Sequence, residues 1–277
     1  MAVDLATKYL GLIDELFVAE SRSALVTNTE FDWDGAAAVK IYKLTSVPMT
    51  DYNRAGTGSS PSRYGELQPI SATTQTLTLN RDRSFTYAID ALDEDETVNA
   101  LAAASTLARQ MREVVIPEVD TWTYSKMCAG AGTKPGAIAL TEENIYSEIL
   151  KAGNVLDNAE IPESGRVLLL TPDVYVLLKR SKDVVLETDI GADMRLRGVI
   201  SNLDGANVIR VPANRLPNKF GFMLAHPAAT VAPVKLADFR THENPPGISG
   251  NLVEGRIAYD AFVLENKAKA IYYQVKS

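Results

Sequence analysis

The sequence predicts an α+β fold organised around one long helix, and three observations carry that reading. Val98, Leu101, Ala104, Ala108, Met111, Val115, Val119 and Trp122 recur every three or four positions, which sets them in one stripe along a helix. Before them, Thr76–Leu79 and Ser84–Ile89 alternate in polarity on either side of the polar Asn80–Arg83, the pattern of a β-hairpin. After them, residues 141–224 alternate helix-like with strand-like segments, as a mixed α/β layer does.

Bulk properties narrow the class. A chain of 277 residues exceeds the usual single core, so two subdomains are expected. The 46% hydrophobic content suits a globular protein, and no stretch reaches the ~20 apolar residues of a membrane span, so no membrane partner is expected. One cysteine, Cys128, excludes an internal disulfide and any cysteine-based metal cluster. A net charge of −7 with scattered basic residues argues against gripping nucleic acid through its phosphates.

Taken in order, Leu5, Tyr9, Leu12, Ile13, Leu16 and Phe17 line one face of a first helix. Phe31–Gly35 reads as a turn, Val39–Leu44 as a strand and Ala55–Gly65 as a Gly/Ser-rich connector. The acidic run Asp93–Glu96 and an N-cap at Thr97 open the long helix, where a helix N-terminus favours negative charge. Pro117 interrupts it, predicting a kink near Glu113–Pro117. Residues 129–136 break the chain. Gly130, Gly132 and Lys134 echo a phosphate loop, yet no strand leads in and Pro135 stops the helix that should follow.

Thr141, with Glu142 and Glu143, then caps a helix whose core face is Ile145, Ile149, Ala152, Val155 and Leu156. Arg166–Leu170 reads as a buried strand, Thr171–Pro172 as a cap with proline at the first helical position, and Asn207–Val211 as a strand. Four β-like runs follow: 221–225, 230–235, 255–264 and 268–275. Asp238–Gly250 reads as a long polar loop, and Asn266–Lys267 as the last hairpin turn.

Catalytic chemistry finds no support, and no catalytic residue, cofactor or metal site is expected. The two histidines, His226 and His242, form no HExxH or paired-ligand pattern. His226, before Pro227 at a strand end, reads as structural, and Cys128 has no histidine nearby in sequence to act as its base.

The order of parts resembles the major capsid proteins of tailed bacteriophages, the Hong Kong 97-like shell fold. The residues that carry the resemblance are Asp51–Arg54 after the early strand, Phe85–Asp90, Glu96–Thr97, Ile116–Asp120 with Tyr124–Lys126 on the long helix, and Thr171–Tyr175. The resemblance implies an N-terminal arm (1–28), a first part of a peripheral domain (29–67) and an extended hairpin loop (68–92). A spine helix with peripheral domain (93–140), an axial domain (141–224) and returning peripheral strands (225–277) complete it. It implies no enzyme, but a homo-oligomer of hexamers and pentamers in an icosahedral head, enclosing double-stranded DNA without sequence-specific binding. Scaffolding, portal and decoration proteins are further partners of such shells. The location implied is the virion, after assembly in the bacterial host cytoplasm. With the arm starting at Met1, a separate scaffolding protein or none is expected. Without a lysine at Asn80–Arg83, no covalent cross-link is expected.

Two alternatives stay open: an encapsulin-type compartment of the same fold, and a small α/β enzyme built on 141–224. For assembly, the reading places Arg81, Asp82 and Arg83 at a hairpin tip reaching charges on a neighbour. It places at Pro117 a spine kink that sets shell curvature.

Overall fold

Alternating β-branched and aromatic residues make strand β1 (Ala38–Leu44), and the threonine-rich run Ala72–Thr78 makes β2. They pair antiparallel from Ala38↔Thr78 to Leu44↔Ala72, so a hairpin spans 38–78 in place of the one expected within 68–92. In the computed structural model, which describes residues 21–28, 38–44, 46–56, 62–70, 72–92, 103–182 and 202–277, Gly35–Thr78 is one compact unit. Met1–Asp34 with Leu79–Ser277 is the other. The expected first helix, the Phe31–Gly35 turn, the acidic run and the Thr97 cap lie outside the described residues.

The predicted hairpin across Asn80–Arg83 does not form. Those residues lack the glycine that a tight turn prefers, and Arg81–Asp90 continues as one strand, β3. It pairs antiparallel with Gly250–Tyr259, from Asp90↔Gly250 to Arg81↔Tyr259.

In the larger unit the helical rod has three parts: α1 (Ala103–Gln110), a π-helical turn (Met111–Val115) and α2 (Ile116–Gly130). Leu107, Met111, Val115 and Val119 are buried from it against Ile89, Phe239, Val253, Ile257 and Tyr259. Its second half is also buried on another side, where Tyr124, Met127 and Cys128 join a second core. The sequence stripe captured Met111, Val115 and Val119; Leu107, one position from the predicted Ala108, takes the buried place.

Val167–Leu170 (β4) is buried at every residue, as its unbroken apolar run predicts. Thr171 accepts from the Val174 N–H through its hydroxyl and caps the helix Pro172–Arg180 (α4). Thr141 does not cap α3 (Ile145–Asn158); instead its N–H donates to Asn144 Oδ1 at 2.8 Å. Strands Asn202–Leu203 (β5), Ala206–Arg210 (β6) and Phe220–Ala225 (β7) extend this layer. A short strand, Thr230–Val231 (β8), follows.

Val234–Glu243 (β9) then occupies much of the expected polar loop, and Gly250–Tyr259 is β10, giving a three-stranded sheet of order β3-β10-β9. Phe262–Val263 (β11) pairs with β8. Asn266 and Lys267 belong to a 3-10 helix, Glu265–Ala270, not to a hairpin turn. Ile271–Val275 (β12) pairs with β7, so the five-stranded sheet β12-β7-β4-β6-β5 reaches beyond the expected 141–224.

Two glycines allow close approach, one of a backbone and one of aromatic rings. A Cβ on Gly132 would lie 2.5 Å from the Ala268 carbonyl oxygen, so residues 129–136 are a packing device rather than a phosphate loop. In β10, a Cβ on Gly255 would enter the Phe85 ring and come within 2.7 Å of Phe239. Gly255→Ala is therefore expected to overpack this core and lower unfolding free energy by about 1–3 kcal/mol, read from urea denaturation of unassembled subunits.

Candidate interaction surface

Residues 46–70, between β1 and β2, carry half of the exposed large apolar side chains among the described residues: Val47, Met49, Tyr52, Tyr64, Leu67 and Ile70. Met49 is 100% exposed, Leu67 97% and Tyr64 79%. Monomeric proteins scatter such residues singly, and a cluster of six within one loop marks a surface made to be covered. The loop is braced from within. The Asn53 N–H donates to the Arg63 carbonyl at 2.9 Å, the Gly56 N–H to Asn53 Oδ1 at 3.1 Å, and Thr50 Oγ1 to the Tyr64 carbonyl at 3.0 Å. The Tyr52 and Tyr64 rings meet edge to face, with centroids 5.0 Å apart. This bracing holds the two aromatic rings in place before any partner arrives, which lowers the entropy cost of binding. Composition alone reads Ala55–Gly65 within this stretch as a flexible connector; the signal it misses is the spacing of Tyr, Met and Leu.

Arg81, Asp82 and Arg83 are not at a tip and are not without partners on their own subunit. The Arg81 guanidinium lies 3.7 Å from the centre of the Trp122 ring, and the Trp122 indole N–H donates to Asp260 Oδ1 at 2.8 Å. Arg256 reaches diagonally across the ladder and grips Asp82 with two hydrogen bonds, at 2.9 and 2.5 Å. That grip holds the Asp82 carboxyl below its ordinary range. Arg83 Nε donates to Glu118 Oε1 at 2.7 Å, which also accepts from the Tyr259 hydroxyl at 3.2 Å. All three residues thus tie β3 to α2 and β10.

Pro117 is the second residue of α2, immediately after the π turn. The Ile116 N–H bonds the Met111 carbonyl, five residues back. A proline has no N–H to return to residue 113, and its ring crowds that carbonyl. The wider π turn gives the ring room and puts Pro117 in the first turn of a new register, where its missing N–H matters least.

The remaining candidates have structural places. His226 Nδ1 accepts from the Ala228 N–H at 3.2 Å, and Nε2 lies 3.2 Å from the Ser164 carbonyl. Cys128 is buried, and burial pushes its thiol up to about 12, so it is protonated near neutrality. His242 lies 3.4 Å from Glu254 on the outer sheet face. Among the described residues no three His, Cys, Asp or Glu side chains gather as a metal site, and no helix is long and apolar enough to cross a membrane.

No family model matches the chain, and no curated protein matches it in sequence. Solved structures do. One from Mycobacterium phage Che8 is 20% identical, with a TM-score of 0.66 over 92% of this chain and 90% of that one. The capsid structure of Cyanophage P-SCSP1u is 14% identical, with a TM-score of 0.69 over 88% and 84%. A virus-like particle from Pyrococcus furiosus is 10% identical, with a TM-score of 0.60 over 98% and 100%. With these likenesses and the spine, sheets and hairpin described above, the chain has the Hong Kong 97-like α+β fold of tailed-phage major capsid proteins.

Proposed function

We propose that this chain is the structural subunit of a tailed-phage head, assembling as hexamers and pentamers into an icosahedral shell around double-stranded DNA. The observation that carries the reading is the braced, apolar loop 46–70 on a chain of capsid fold. A lone subunit leaves Met49, Tyr64 and Leu67 in water, and a second copy is the partner that a closed shell always supplies. Many modest contacts of this kind add up in a shell through multivalency. The acidic balance suits a wall that holds DNA weakly. Residues 45–71 contain no lysine, so the contact is taken as noncovalent. Scaffolding, portal and decoration proteins remain partners by resemblance, and the virion, reached from the host cytoplasm, remains the location.

A second reading, an encapsulin-type compartment, draws on the likeness to the Pyrococcus furiosus particle over nearly the whole of both chains. Nuclease-protected DNA inside purified particles favours the phage head; a protein cargo favours the compartment. The enzyme alternative loses ground because the core between α3, α4 and the five-stranded sheet is filled by side chains such as Ile145, Leu156, Leu168 and Phe222.

Purified protein is expected to form hexamers, pentamers or shells by electron microscopy; a monomer at every concentration and salt tested would overturn the reading. Tyr52→Ala with Tyr64→Ala should abolish particles while leaving the melting temperature of unassembled subunits little changed. Reversing Arg81 and Arg83 to Glu should act differently, because it strips the Trp122 ring and sets a carboxylate beside Glu118. The subunit itself should melt lower, and the difference should shrink as salt screens the repulsion.

Pro117 is proposed to set the angle of the spine and hence shell curvature. Pro117→Ala removes the ring that the π turn accommodates and restores an N–H that can return to residue 113, so the turn can tighten into regular α-helix. The variant should melt higher and give tubes, sheets or wrongly sized shells. A more stable subunit that builds shells of normal diameter would refute the curvature role.

A further inference from the structure

Asp120 is fully buried on α2, and it is the only buried charged residue of that helix. An unpaired carboxylate there would be prohibitive, so its partners define its purpose. Ser21 donates its hydroxyl to Asp120 Oδ1 at 2.8 Å, and the Ser23 N–H donates to the same oxygen at 3.3 Å. The Arg22 N–H and Arg215 Nη1 donate to Oδ2 at 3.3 and 3.0 Å. Three of these four donors come from Ser21–Ser23, the first described residues of the chain, which continues through 24–28. The same segment is fastened at two further points: Arg22 Nη1 donates to the Arg210 carbonyl at 3.1 Å, and the Asn28 N–H to the Thr230 carbonyl at 2.7 Å. Val26 is buried between them in the core that holds Tyr124 and Met127.

We propose that Asp120 is a positioning residue for assembly: it locks Ser21–Ser23 onto the spine, so that this segment of the N-terminal arm holds one fixed place on every subunit. The inference rests on the shell reading, but its first consequence belongs to the single subunit. The carboxylate suits the task because both its oxygens accept, and every donor presented to it is an N–H or O–H. Asparagine keeps the size and one acceptor, but turns an N–H₂ toward the Arg22 N–H and the Arg215 guanidinium, donor against donor. Arg215 is then left without its anion. The rest of the arm's fastening, at Val26 and Asn28, is untouched, so the loss is confined to the anchor.

The test is limited trypsin digestion of unassembled subunits, following cleavage after Arg22 by mass spectrometry, beside particle yield by electron microscopy. Leu156→Ala, in the core under α3 and remote from the arm, serves as a control of equal or greater thermal destabilisation. Asp120→Asn should raise cleavage after Arg22 by about tenfold or more, as loss of charge-assisted bonds opens the segment locally. It should also cut the yield of closed particles by a similar factor, whereas Leu156→Ala, assayed equally far below its own melting temperature, should keep yield within about twofold of wild type. Unchanged cleavage, or particle loss no greater than in Leu156→Ala, would overturn the proposal. Should Asp120→Asn not fold, Ser21→Ala decides, with cleavage raised a few-fold expected and unchanged cleavage refuting. If wild type builds no particles the shell reading fails, while the cleavage comparison still judges the anchor.

Discussion

Everything in the larger unit depends on the rod Ala103–Gly130 being buried on two sides. One side meets the three-stranded sheet through Leu107, Met111, Val115 and Val119. The other meets the core of the five-stranded sheet through Tyr124, Met127 and Cys128. A surface helix needs only one apolar stripe. A helix shared by two cores needs two, and the change from one to both falls just after the π turn. That turn serves Pro117 locally and re-phases the side chains that follow, because each π turn adds a residue to the register.

Burial on two sides leaves little room for polar groups, and the two carboxylates of α2 are paired across elements. Asp120 holds the chain's early segment, and Glu118, one turn away from the π segment, holds Arg83 and Tyr259. Asp260 takes the Trp122 indole N–H and the N–H groups of Asn80 and Ala261. Each of these carboxylates sits where two or three segments converge, so each joins elements that apolar contact alone would let slide. Buried donors left unmatched would cost more than the matched bonds contribute, and that asymmetry makes such junctions specific.

The unit Gly35–Thr78 obeys the opposite rule. Its loop exposes apolar side chains and spends its hydrogen bonds on bracing itself. A two-stranded hairpin is marginal alone in water. A subunit that keeps such an element gains from it only in company, and the shell reading supplies the company.

The sequence by itself determined the long helix, the buried strand at 167–170, the Thr171–Pro172 helix start, the structural place of His226 and, through the order of its parts, the shell fold. These are legible because periodicity, caps and turn chemistry are local: the residues that decide them are within a few positions of one another. Tertiary structure alone decided strand partnership. Asp82 and Arg256 stand 174 residues apart, and nothing at Asn80–Arg83 announces that β3 will turn from β2 to β10. Alternation shows that a run is a strand, and it is silent on which other strand lies beside it. The same holds for Asp120, whose burial is set by Ser21, Ser23 and Arg215 arriving from elsewhere in the chain. Six apolar residues in the loop 46–70 were visible as letters. That Tyr52 meets Tyr64 follows only from the folded backbone, which brings Asn53 within hydrogen-bond reach of Arg63.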